Sequence, residues 1–338
     1  MQIVFVHFGH RIPSYLYANL VRVSDLFPNH RVILIADRPH RLKLTRKNFE
    51  NKVIELKGNY VDVNHLLAHP RDFRENFWFS TLARLLAVCD YAINTNDSIL
   101  HIESDVYISN DFPLDKFSGL DRPSAYTIVG ELSGVASVLW LRDSKIAELL
   151  KKYILSEVKE DSMTTDMKIL GKFKAESPSS VRILASFPWK SVSLNFPLGK
   201  GLEEDFEYST KLFDGFFDSA DVGQYLFGDD PRNHRGIKYV RRELLTSYLR
   251  PRSLNYKYSN NRHFIDISDD ENFKIFSLHI HCKDSKLFDT RRNQKLFKLA
   301  IRKQKKAEGH ILVFYSFLNA LRFSIVRRLK ITFTKLFS

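Results

Sequence analysis

Short apolar runs alternate with amphipathic runs near the N-terminus, and this alternation is the strongest constraint on the fold. QIVFVHFG (residues 2–9), RVILIAD (31–37) and VIELKG (53–58) have the length and composition of buried strands, and residues 14–27 have helical periodicity. Apolar strands separated by helices are typical of a mostly parallel sheet that helices cover on both faces. The predicted fold class is therefore α/β, with ligand-binding residues at the carboxyl ends of strands, near Gly9–Arg11 and Asp37.

Later segments continue this pattern. Residues 72–92 form the clearest helix, with Asp72 and Glu75 as a capping box and with Arg84 at the margin of an apolar stripe. Further strands are predicted at residues 98–109, 125–129, 134–141 and 273–283, and further helices at 144–158 and at 164–173, the latter capped by Thr164 or Thr165. Residues 213–236 are rich in turn-forming residues.

The positive charge of the chain is concentrated at its C-terminal end. The formal net charge is +13, and residues 291–338 hold six Arg and seven Lys against one acid, Glu308. The first 290 residues are therefore close to neutral, whereas a nucleic-acid-binding enzyme more often spreads positive charge over its working face. We expect a catalytic domain over residues 1–290, a basic extension over residues 291–338, and no nucleic-acid partner.

The basic extension also contains an apolar run at residues 311–321. Eleven residues are too few to span a bilayer, which takes about 20. Aromatic residues beside clustered Arg and Lys are typical of an amphipathic helix that lies on an anionic membrane surface. A C-terminal core helix with a solvated basic face is the alternative.

Two features favour the cytoplasm. The chain has only two cysteines, Cys89 and Cys282, which lie far apart in sequence and lack the spacing of a metal site. The N-terminal residues enter an apolar strand directly, without a basic leader or a small-residue cleavage site. With the basic extension, these features predict a cytoplasmic protein that is peripheral on the inner face of the membrane.

Residues 98–109, SILHIESDVYIS, place two carboxylates one residue apart in an apolar run. On a strand, Glu103 and Asp105 would share a face, with their Cα atoms roughly 7 Å apart. Two desolvated like charges at that distance repel, and one takes up a proton unless a cation lies nearby. A divalent ion bound by carboxylate oxygens would remove the conflict. The alternative is a strand that ends near Glu103, followed by solvated acids.

The run HIHCK (residues 279–283) could complete such a site. On a strand, His279 and His281 share one face, and Lys283 and Lys286 follow. An imidazole next to carboxylate oxygens favours Mn²⁺ over Mg²⁺, and the lysines could balance a diphosphate as point charges. A strand histidine can equally be a core residue that is satisfied by hydrogen bonds.

The order of these parts over residues 1–286 resembles that of GT-A-type glycosyltransferases of bacterial capsule, lipopolysaccharide and exopolysaccharide gene clusters. The parts are an N-terminal βα half, a helix ending FWFSTLARLLAV, a strand ending HIESDVYIS, and a late HIH…K. In that family a short acidic motif, usually Asp-x-Asp, ends a central strand and holds a divalent ion against the sugar-nucleotide diphosphate. Glu103-Ser104-Asp105 occupies this place, with Glu replacing the first Asp, so Asp105 is the better predicted metal ligand.

The resemblance implies further site residues. Arg84 matches an arginine that contacts the donor, and His281 or His279 matches a late histidine that completes the metal shell. FDSADVGQYLFGDDPRN (residues 217–233) resembles an acidic Gly-Gln-Tyr-x-x-Gly-x-Asp-Pro segment of such transferases. In it, Asp218, Asp221 and Gln224 could bind donor-sugar or acceptor hydroxyls, and Asp218 could be a general base. The alternative for this segment is turn chemistry alone.

The expected fold is GT-A-like, with a mostly parallel central sheet flanked by helices and a basic amphipathic C-terminal tail. The expected activity is metal-dependent transfer of a sugar from a nucleotide-sugar donor to a hydroxyl of a growing bacterial surface glycan. If that glycan is lipid-linked, the basic tail would hold the active site near the membrane. The predicted donor-binding residues are His7, Gly9, Arg11, Asp37, Arg84, Glu103, Gln224, Lys283 and Lys286, and the predicted metal ligands are Asp105, His281 and His279. The base candidates are Asp218 and Asp166, although Asp166 also suits a first-turn acid favoured by the helix dipole. A metal-dependent phosphoesterase or nuclease and a non-enzymatic membrane-binding scaffold are the alternatives.

Overall fold

The computed structural model describes residues 1–9, 11–37, 53–55, 60–70, 76–130, 132–192, 194–234, 246–251, 254–259, 262–268, 271–289 and 293–306. The strands in these ranges are β1 (Gln2–His7), β2 (Arg31–Ala36), β3 (Val53–Glu55), β4 (Ile99–Ile102), β5 (Val106–Ile108), β6 (Ser124–Gly130), β7 (Ser133–Leu141), β8 (Val181–Ile183), β9 (Phe216–Phe217), β10 (Asn255–Ser259), β11 (Arg262–Ser268) and β12 (Glu271–His279). The α-helices are α1 (Ser14–Leu26), α2 (Val61–Leu66), α3 (Phe77–Thr95), α4 (Ser144–Glu160), α5 (Asp166–Glu176), α6 (Lys200–Phe213), α7 (Asp221–Phe227) and α8 (Asn293–Lys306).

The first of two sheets has seven strands in the order β3-β2-β1-β4-β7-β6-β8. Strands β3, β2, β1 and β4 are all parallel to one another. Strand β7 is antiparallel to both of its neighbours, and β6 and β8 are parallel. The predicted α/β class with a mostly parallel central sheet is confirmed.

Helices cover both faces of this sheet, as the apolar strands require. Alternate residues of β1 belong to different cores: Val4 belongs to the core that includes side chains of α3, α4 and α5, whereas Phe5 belongs to the core that includes side chains of α1. Because successive strand side chains point to opposite faces, a strand that is apolar throughout must be covered twice. The central strands are accordingly fully buried.

A second sheet, which the sequence pattern did not predict, contains β10, β11, β12 and β5 in that order, with β9 paired to β12. It changes two predicted strands. The single strand predicted at residues 98–109 is wrong, because β4 ends at Ile102 in the first sheet and β5 begins at Val106 in the second. The strand predicted at residues 273–283 ends at His279, and the chain turns after it.

The predicted helices are present, with shifted ends. The helix predicted from residue 72 begins at Phe77, and the predicted capping box lies outside the described residues. Helix α5 begins at Asp166, and its predicted cap is confirmed, since the Thr165 hydroxyl accepts a hydrogen bond of 3.2 Å from the Lys168 N–H.

Helix α8 lies beyond the predicted boundary at residue 290 and packs on the rest of the chain. Its Phe297 is fully buried, with its ring 5.2 Å from that of Tyr107 and 4.9 Å from that of Tyr258, measured between centroids. Within the described ranges, every helix is too short or too polar to cross a bilayer. The apolar run at residues 311–321 lies outside those ranges, so its membrane role stays a prediction.

Candidate active site

Glu103 and Asp105 lie where the chain passes from the first sheet to the second. Strand β4 ends at the carboxyl edge of the first sheet, and a turn closed by a 3.0 Å hydrogen bond from the Val106 N–H to the Glu103 carbonyl leads into β5. Both carboxylates are buried, each with only 6% of the residue exposed. The alternative of solvated acids is therefore wrong, and two buried negative charges require cations close by.

The second sheet brings His279 to these acids. Strand β12 is antiparallel to β5, with His279 opposite Val106. The His279 Nε2 lies 3.3 Å from a Glu103 oxygen and 3.5 Å from an Asp105 oxygen. Its Nδ1 lies 3.0 Å from the backbone carbonyl of Ser219. A ring nitrogen that donates to a carbonyl leaves the other nitrogen to face the acids, which is the usual orientation of a metal-binding histidine.

His281 is next to this group but does not face the acids in the same way. The rings of His279 and His281 stack with centroids 4.1 Å apart, although the strand that was predicted to place both on one face ends at His279. Burial and the charge of His279 lower the pKa of His281 to about 3. Within the described ranges, Glu103, Asp105 and His279 form the one group whose ligand atoms all lie within 4.8 Å of one another. Glu103, which was predicted as a donor contact, lies in this group, whereas His281 does not.

Two cations neutralise the acids, one at each carboxylate. The Arg84 Nη2 lies 2.6 Å from a Glu103 oxygen, and the Lys283 Nζ lies 3.3 Å from an Asp105 oxygen and 3.4 Å from an Asp230 oxygen. Burial alone would raise the pKa of Asp105, but Lys283 and His279 hold it well below its usual range. Asp105 is therefore ionised and able to bind a cation at neutral pH.

Lys283 is held in an unusual backbone conformation. Its φ of +52° lies in the left-handed region, which residues other than glycine rarely adopt. The turn after β12 forces this geometry, since the Lys283 N–H donates to the Ile280 carbonyl. Such strain is common at functional sites, and here it directs the Lys283 ammonium toward two carboxylates of other segments.

The sequence reasoning did not single out Asp230, Arg232 and Tyr15. Asp230 accepts hydrogen bonds from the Arg232 guanidinium and contacts Lys283, and these contacts lower its pKa against the opposing effect of burial. The Tyr15 ring lies 5.7 Å from the Lys283 Nζ. The turn residues around Asp230 were visible in the sequence, but its ion pair joins positions 53 residues apart and leaves no local pattern.

Asp218, which is predicted as a general base, also has a structural task. Its carboxylate accepts hydrogen bonds from the N–H groups of Val222, Gly223 and His279, at 2.9, 2.7 and 3.0 Å, and only 1% of the residue is exposed. A Cβ on Gly223 would lie 2.2 Å from the His279 carbonyl oxygen, so glycine is needed for this approach. Asp218 therefore fastens α7, which carries the buried Gln224, to the end of β12 and positions His279.

Asp166 interacts electrostatically with Arg84 and Glu103. It is the first residue of α5 and is buried. Burial raises the pKa of Asp166, Arg84 opposes this shift, and the Thr81 side chain is a hydrogen-bond partner. Asp166 is thus a partly desolvated carboxyl next to the Arg84–Glu103 pair. Its shifted pKa suits a base better than an ordinary surface carboxylate would.

The predicted N-terminal residues form a separate group at the carboxyl ends of β1 and β2. The Gly9 N–H donates to an Asp37 oxygen at 2.9 Å, and the His7 Nε2 lies 2.9 Å from the Arg11 carbonyl. Gly9 has a φ of +134°, and a Cβ added to it would lie 3.6 Å from the His7 Nε2. Because β1 and β4 are parallel neighbours, this group and the acids share one edge of the sheet. The Arg11 and Lys286 side chains are exposed.

The acids and His279 fit a divalent cation. Two carboxylates and one imidazole are a donor set that Mn²⁺ accepts readily. Burial alone would lower the pKa of His279, but Asp105 and Glu103 raise it to about 9. Without a metal, the protonated imidazole and Lys283 supply the positive charge that these acids need. A bound ion would replace the proton, so metal binding and proton release are coupled here.

Comparisons with known proteins give only distant similarities. No family model matches the chain, and no curated protein matches it. Similar solved structures include the galactosyltransferase LgtC in complex with donor and acceptor sugar analogs, at 17% identity and a TM-score of 0.40 over 55% of this chain and 73% of that chain. Mouse xyloside xylosyltransferase 1 in its apo form is similar at 11% identity and a TM-score of 0.38, over 54% of this chain and 84% of that chain. The glycosyltransferase GlyE of Streptococcus pneumoniae TIGR4 is similar at 15% identity and a TM-score of 0.35, over 54% of this chain and 44% of that chain. All three are described as glycosyltransferases, but TM-scores this low support no conclusion about activity.

Proposed function

We propose that this chain is a metal-dependent glycosyltransferase that moves a sugar from a nucleotide-sugar donor to a hydroxyl of a growing glycan. The observation that supports this most is the buried group of Glu103, Asp105 and His279 at the carboxyl edge of a mostly parallel sheet. Ligands of open α/β sheets bind at this edge. The group lies between two cations, which suits an anionic substrate such as a diphosphate.

The nucleoside end of the donor would lie against β1 and β2. The Asp37 carboxylate is fixed by the Gly9 N–H, and a carboxylate in this position can accept hydrogen bonds from ribose hydroxyls. Gly9 has no side chain, so its backbone leaves room for a close approach of the nucleotide. His7 lies beside it, and burial lowers its pKa, so its ring is neutral at physiological pH.

The diphosphate would lie at the junction of the sheets. Asp105, Glu103 and His279 would hold the divalent ion, Mn²⁺ in preference to Mg²⁺ because one ligand is an imidazole. When bound, the ion supplies Lewis-acid stabilisation of the charge that develops on the leaving phosphate oxygen. Lys283, which is paired with Asp105 and Asp230 in this structure, can turn its ammonium to the phosphate oxygens as a point charge.

Asp166 is the carboxylate we assign to the acceptor proton. Asp218, the other candidate, is engaged by three backbone donors. Asp166 lies beside Arg84 and Glu103, and its raised pKa brings it closer to the range in which a base is effective. In an inverting reaction it would accept the proton of the attacking hydroxyl.

A phosphoesterase that works with two metal ions has less support. Such enzymes hold two ions close together and need ligands for both. The residues that the structure describes contain one group of three ligands, enough for a single ion. Sugar transfer with one ion therefore fits the geometry better.

The test is a screen of nucleotide sugars by thermal shift and hydrolysis in the presence of Mn²⁺. We expect one nucleotide sugar to raise the melting temperature, since a ligand at 100 times its Kd stabilises a protein by about 2.7 kcal/mol. Asp105→Asn should abolish both the shift and the hydrolysis. Asp115→Asn, which changes a carboxylate whose side chain is 96% exposed, is the matched control. If no nucleotide sugar shifts the wild-type chain, the proposal is wrong.

We further propose that the acceptor is lipid-linked and that the basic tail holds the enzyme at an anionic membrane. Helix α8 supports this, because its exposed side chains include Lys295, Lys298 and Arg302, with Leu299 also 47% exposed, while Phe297 anchors the opposite side. A chain ending at Lys306 keeps that anchor. It should bind less to vesicles of phosphatidylcholine and phosphatidylserine than the full chain, with donor hydrolysis unchanged. Equal vesicle binding by both chains would refute the membrane role.

A further inference from the structure

A second concave site lies at the tip of the β6–β7 hairpin. It has a volume of about 570 Å³ and is lined by Gly130, Ser133, Phe196, Pro197, Gly199, Thr246 and Tyr248. This is within the usual size range of sites for small ligands. None of these residues belongs to the acid group or to the donor-binding residues described above.

This cavity lies at the same sheet edge as the acids. Strand β6 runs antiparallel to β7, and β7 runs antiparallel to β4, so the hairpin tip points in the direction of the carboxyl end of β4. The Glu103 N–H donates to the Ser137 carbonyl at 3.1 Å. Ser133 at the cavity precedes Ser137 by four strand residues, which places it roughly 13 Å further along β7. More than one sugar ring is needed to bridge that separation.

The loop that carries Phe196 is firmly held. Leu194 and Leu249 form a β-bridge, and the Asn195 N–H donates to the Tyr248 carbonyl at 2.7 Å. The Asn195 side-chain amide also donates to the Ser247 carbonyl at 2.7 Å. Binding to a loop that is already ordered costs less conformational entropy than binding to a loop that must first be fixed.

The opposite wall is equally constrained. A Cβ on Gly130 would lie 2.8 Å from the Thr246 carbonyl oxygen, so only glycine allows the hairpin and this segment to come so close. A Cβ on Gly171 in α5 would lie 2.3 Å from the Leu132 carbonyl. The helix that begins with Asp166 is therefore packed tightly against the hairpin that forms one wall of the cavity.

The cavity surface has the chemistry of a sugar site. Phe196 remains 39% exposed although its ring packs edge-on against that of Tyr248, with the centroids 5.4 Å apart. An exposed aromatic face attracts the partly positive C–H groups of a sugar ring, because the face of the ring is electron-rich. Ser133 and Thr246 add hydroxyls, and the lining residues within the described part of the chain carry no charge. These features select a neutral, polar ligand with an apolar face.

We propose that this cavity is an acceptor subsite that binds a neutral sugar residue of the glycan, at least one ring away from the hydroxyl that reacts. The inference rests on the proposed transferase function, since that function places a glycan chain at this sheet edge. Phe196 is the stacking platform of the subsite. It determines which glycans are accepted and has no role in donor chemistry.

The test combines binding of the full chain to an array of neutral oligosaccharides with donor hydrolysis. We expect the wild type to bind a subset of the array and Phe196→Ala to lower that binding about tenfold or more, the effect of losing about 1.4 kcal/mol. Phe196→Tyr should retain binding, because it keeps the aromatic face. Leu149→Ala, which removes a similarly exposed apolar side chain from α4, should behave as wild type. Donor hydrolysis should stay within about twofold in all three variants, since none changes a group at the acids.

The outcomes separate this inference from the proposed function. If the wild type binds no neutral oligosaccharide, or Phe196→Ala binds as well as the wild type, the subsite is refuted even where donor hydrolysis is present. If no nucleotide sugar is hydrolysed but binding still depends on Phe196, the transferase proposal fails and the sugar site stands.

Discussion

Arg84 binds Glu103 through an Nη2–Oε1 contact of 2.6 Å, which joins helix α3 to the end of strand β4. The second Glu103 oxygen lies 3.3 Å from His279. Arg84 therefore neutralises a carboxylate of the group that we propose as a metal site, and its predicted contact with the donor stays a prediction. Glu103 has a defined place as well, although it departs from the usual Asp of such acidic motifs.

Arg84→Met should weaken Mn²⁺ binding about 10- to 100-fold, because the loss of a group that orients a metal ligand has effects of this size. It should also lower the free energy of unfolding by up to about 3 kcal/mol, since Glu103 is left with less compensation for its buried charge. Calorimetric titration with Mn²⁺ and urea unfolding measure the two effects. Adding Glu103→Gln should recover stability but not metal affinity. Unchanged metal affinity in Arg84→Met would contradict the orienting role.

Asp105→Ala should reduce Mn²⁺ affinity by more than about 100-fold, because it removes a metal ligand. Loss of a residue that only hydrogen-bonds to a ligand costs up to about 100-fold. Titration calorimetry measures the affinity, and circular dichroism checks that the fold is retained. Asp230→Ala is the informative comparison, since Asp230 shares Lys283 with Asp105 but lies outside the three-ligand group. A smaller loss for Asp105→Ala than for Asp230→Ala would place the metal elsewhere.

His263→Phe should make stability less dependent on pH in acid. Burial and the charge of Arg22 lower the pKa of His263 to about 3 from 6.5. The unfolded chain therefore binds a proton that the folded chain does not, so the stability present above pH 6.5 is lost as the pH falls toward 3. Replacement by Phe removes this proton, and the slope should become shallower by about 1.4 kcal/mol per pH unit. Urea unfolding between pH 4 and pH 8 measures the slope.

The surroundings of His263 make this exchange a fair test. Its ring is enclosed by the rings of Phe297, Tyr107 and Tyr258, and its Nε2 has no hydrogen-bond partner among the described residues. A Phe ring at position 263 can keep these ring contacts, so the substitution should change the packing little. An unchanged acid slope in His263→Phe would show that other groups control the transition.

Gly171→Ala and Gly201→Ala should shift stability in opposite directions. A Cβ on Gly171 would meet the Leu132 carbonyl at 2.3 Å, whereas a Cβ on Gly201 in α6 would have no atom within 4 Å. Overpacking at Gly171 should cost about 1 to 3 kcal/mol. Alanine in α6 should contribute about 0.5 to 1 kcal/mol of stability, because it restricts the unfolded chain. Thermal or urea unfolding measures both, and a neutral Gly171→Ala would mean that the hairpin moves freely.

Local pattern was sufficient for the fold class and for several site residues. The apolar strands, the amphipathic helices and the Thr165 cap each depend on neighbours in sequence, so their physics is readable in a short window. The pair Glu103 and Asp105 was also conspicuous, because two acids in an apolar run need an explanation wherever they are buried. His279 and Lys283 were candidates because of the HIHCK run and the family resemblance, and the sequence left His279 and His281 as alternatives.

Other assignments needed distant contacts that no local pattern records. Residues 98–109 form two strands because Val106 pairs with the second sheet. The residue opposite Val106 is His279, which is 173 positions away in sequence. Asp218 was predicted as a base because an acid in a turn can act either as a catalytic base or as a structural hydrogen-bond acceptor. The structure adds three backbone donors from distant segments, which give Asp218 a structural task, and its role as a base stays a prediction.

The sequence by itself determined that this chain forms a mostly parallel α/β sheet with acids at the end of a central strand, because hydrophobic periodicity and buried charge are local properties. Only the tertiary structure decided how those acids are neutralised. The second sheet brings His279 within 3.3 Å of Glu103, and the turn after it brings Lys283 within 3.3 Å of Asp105. Electrostatic stabilisation depends on distances through space, and those distances exist only once the two sheets have been joined.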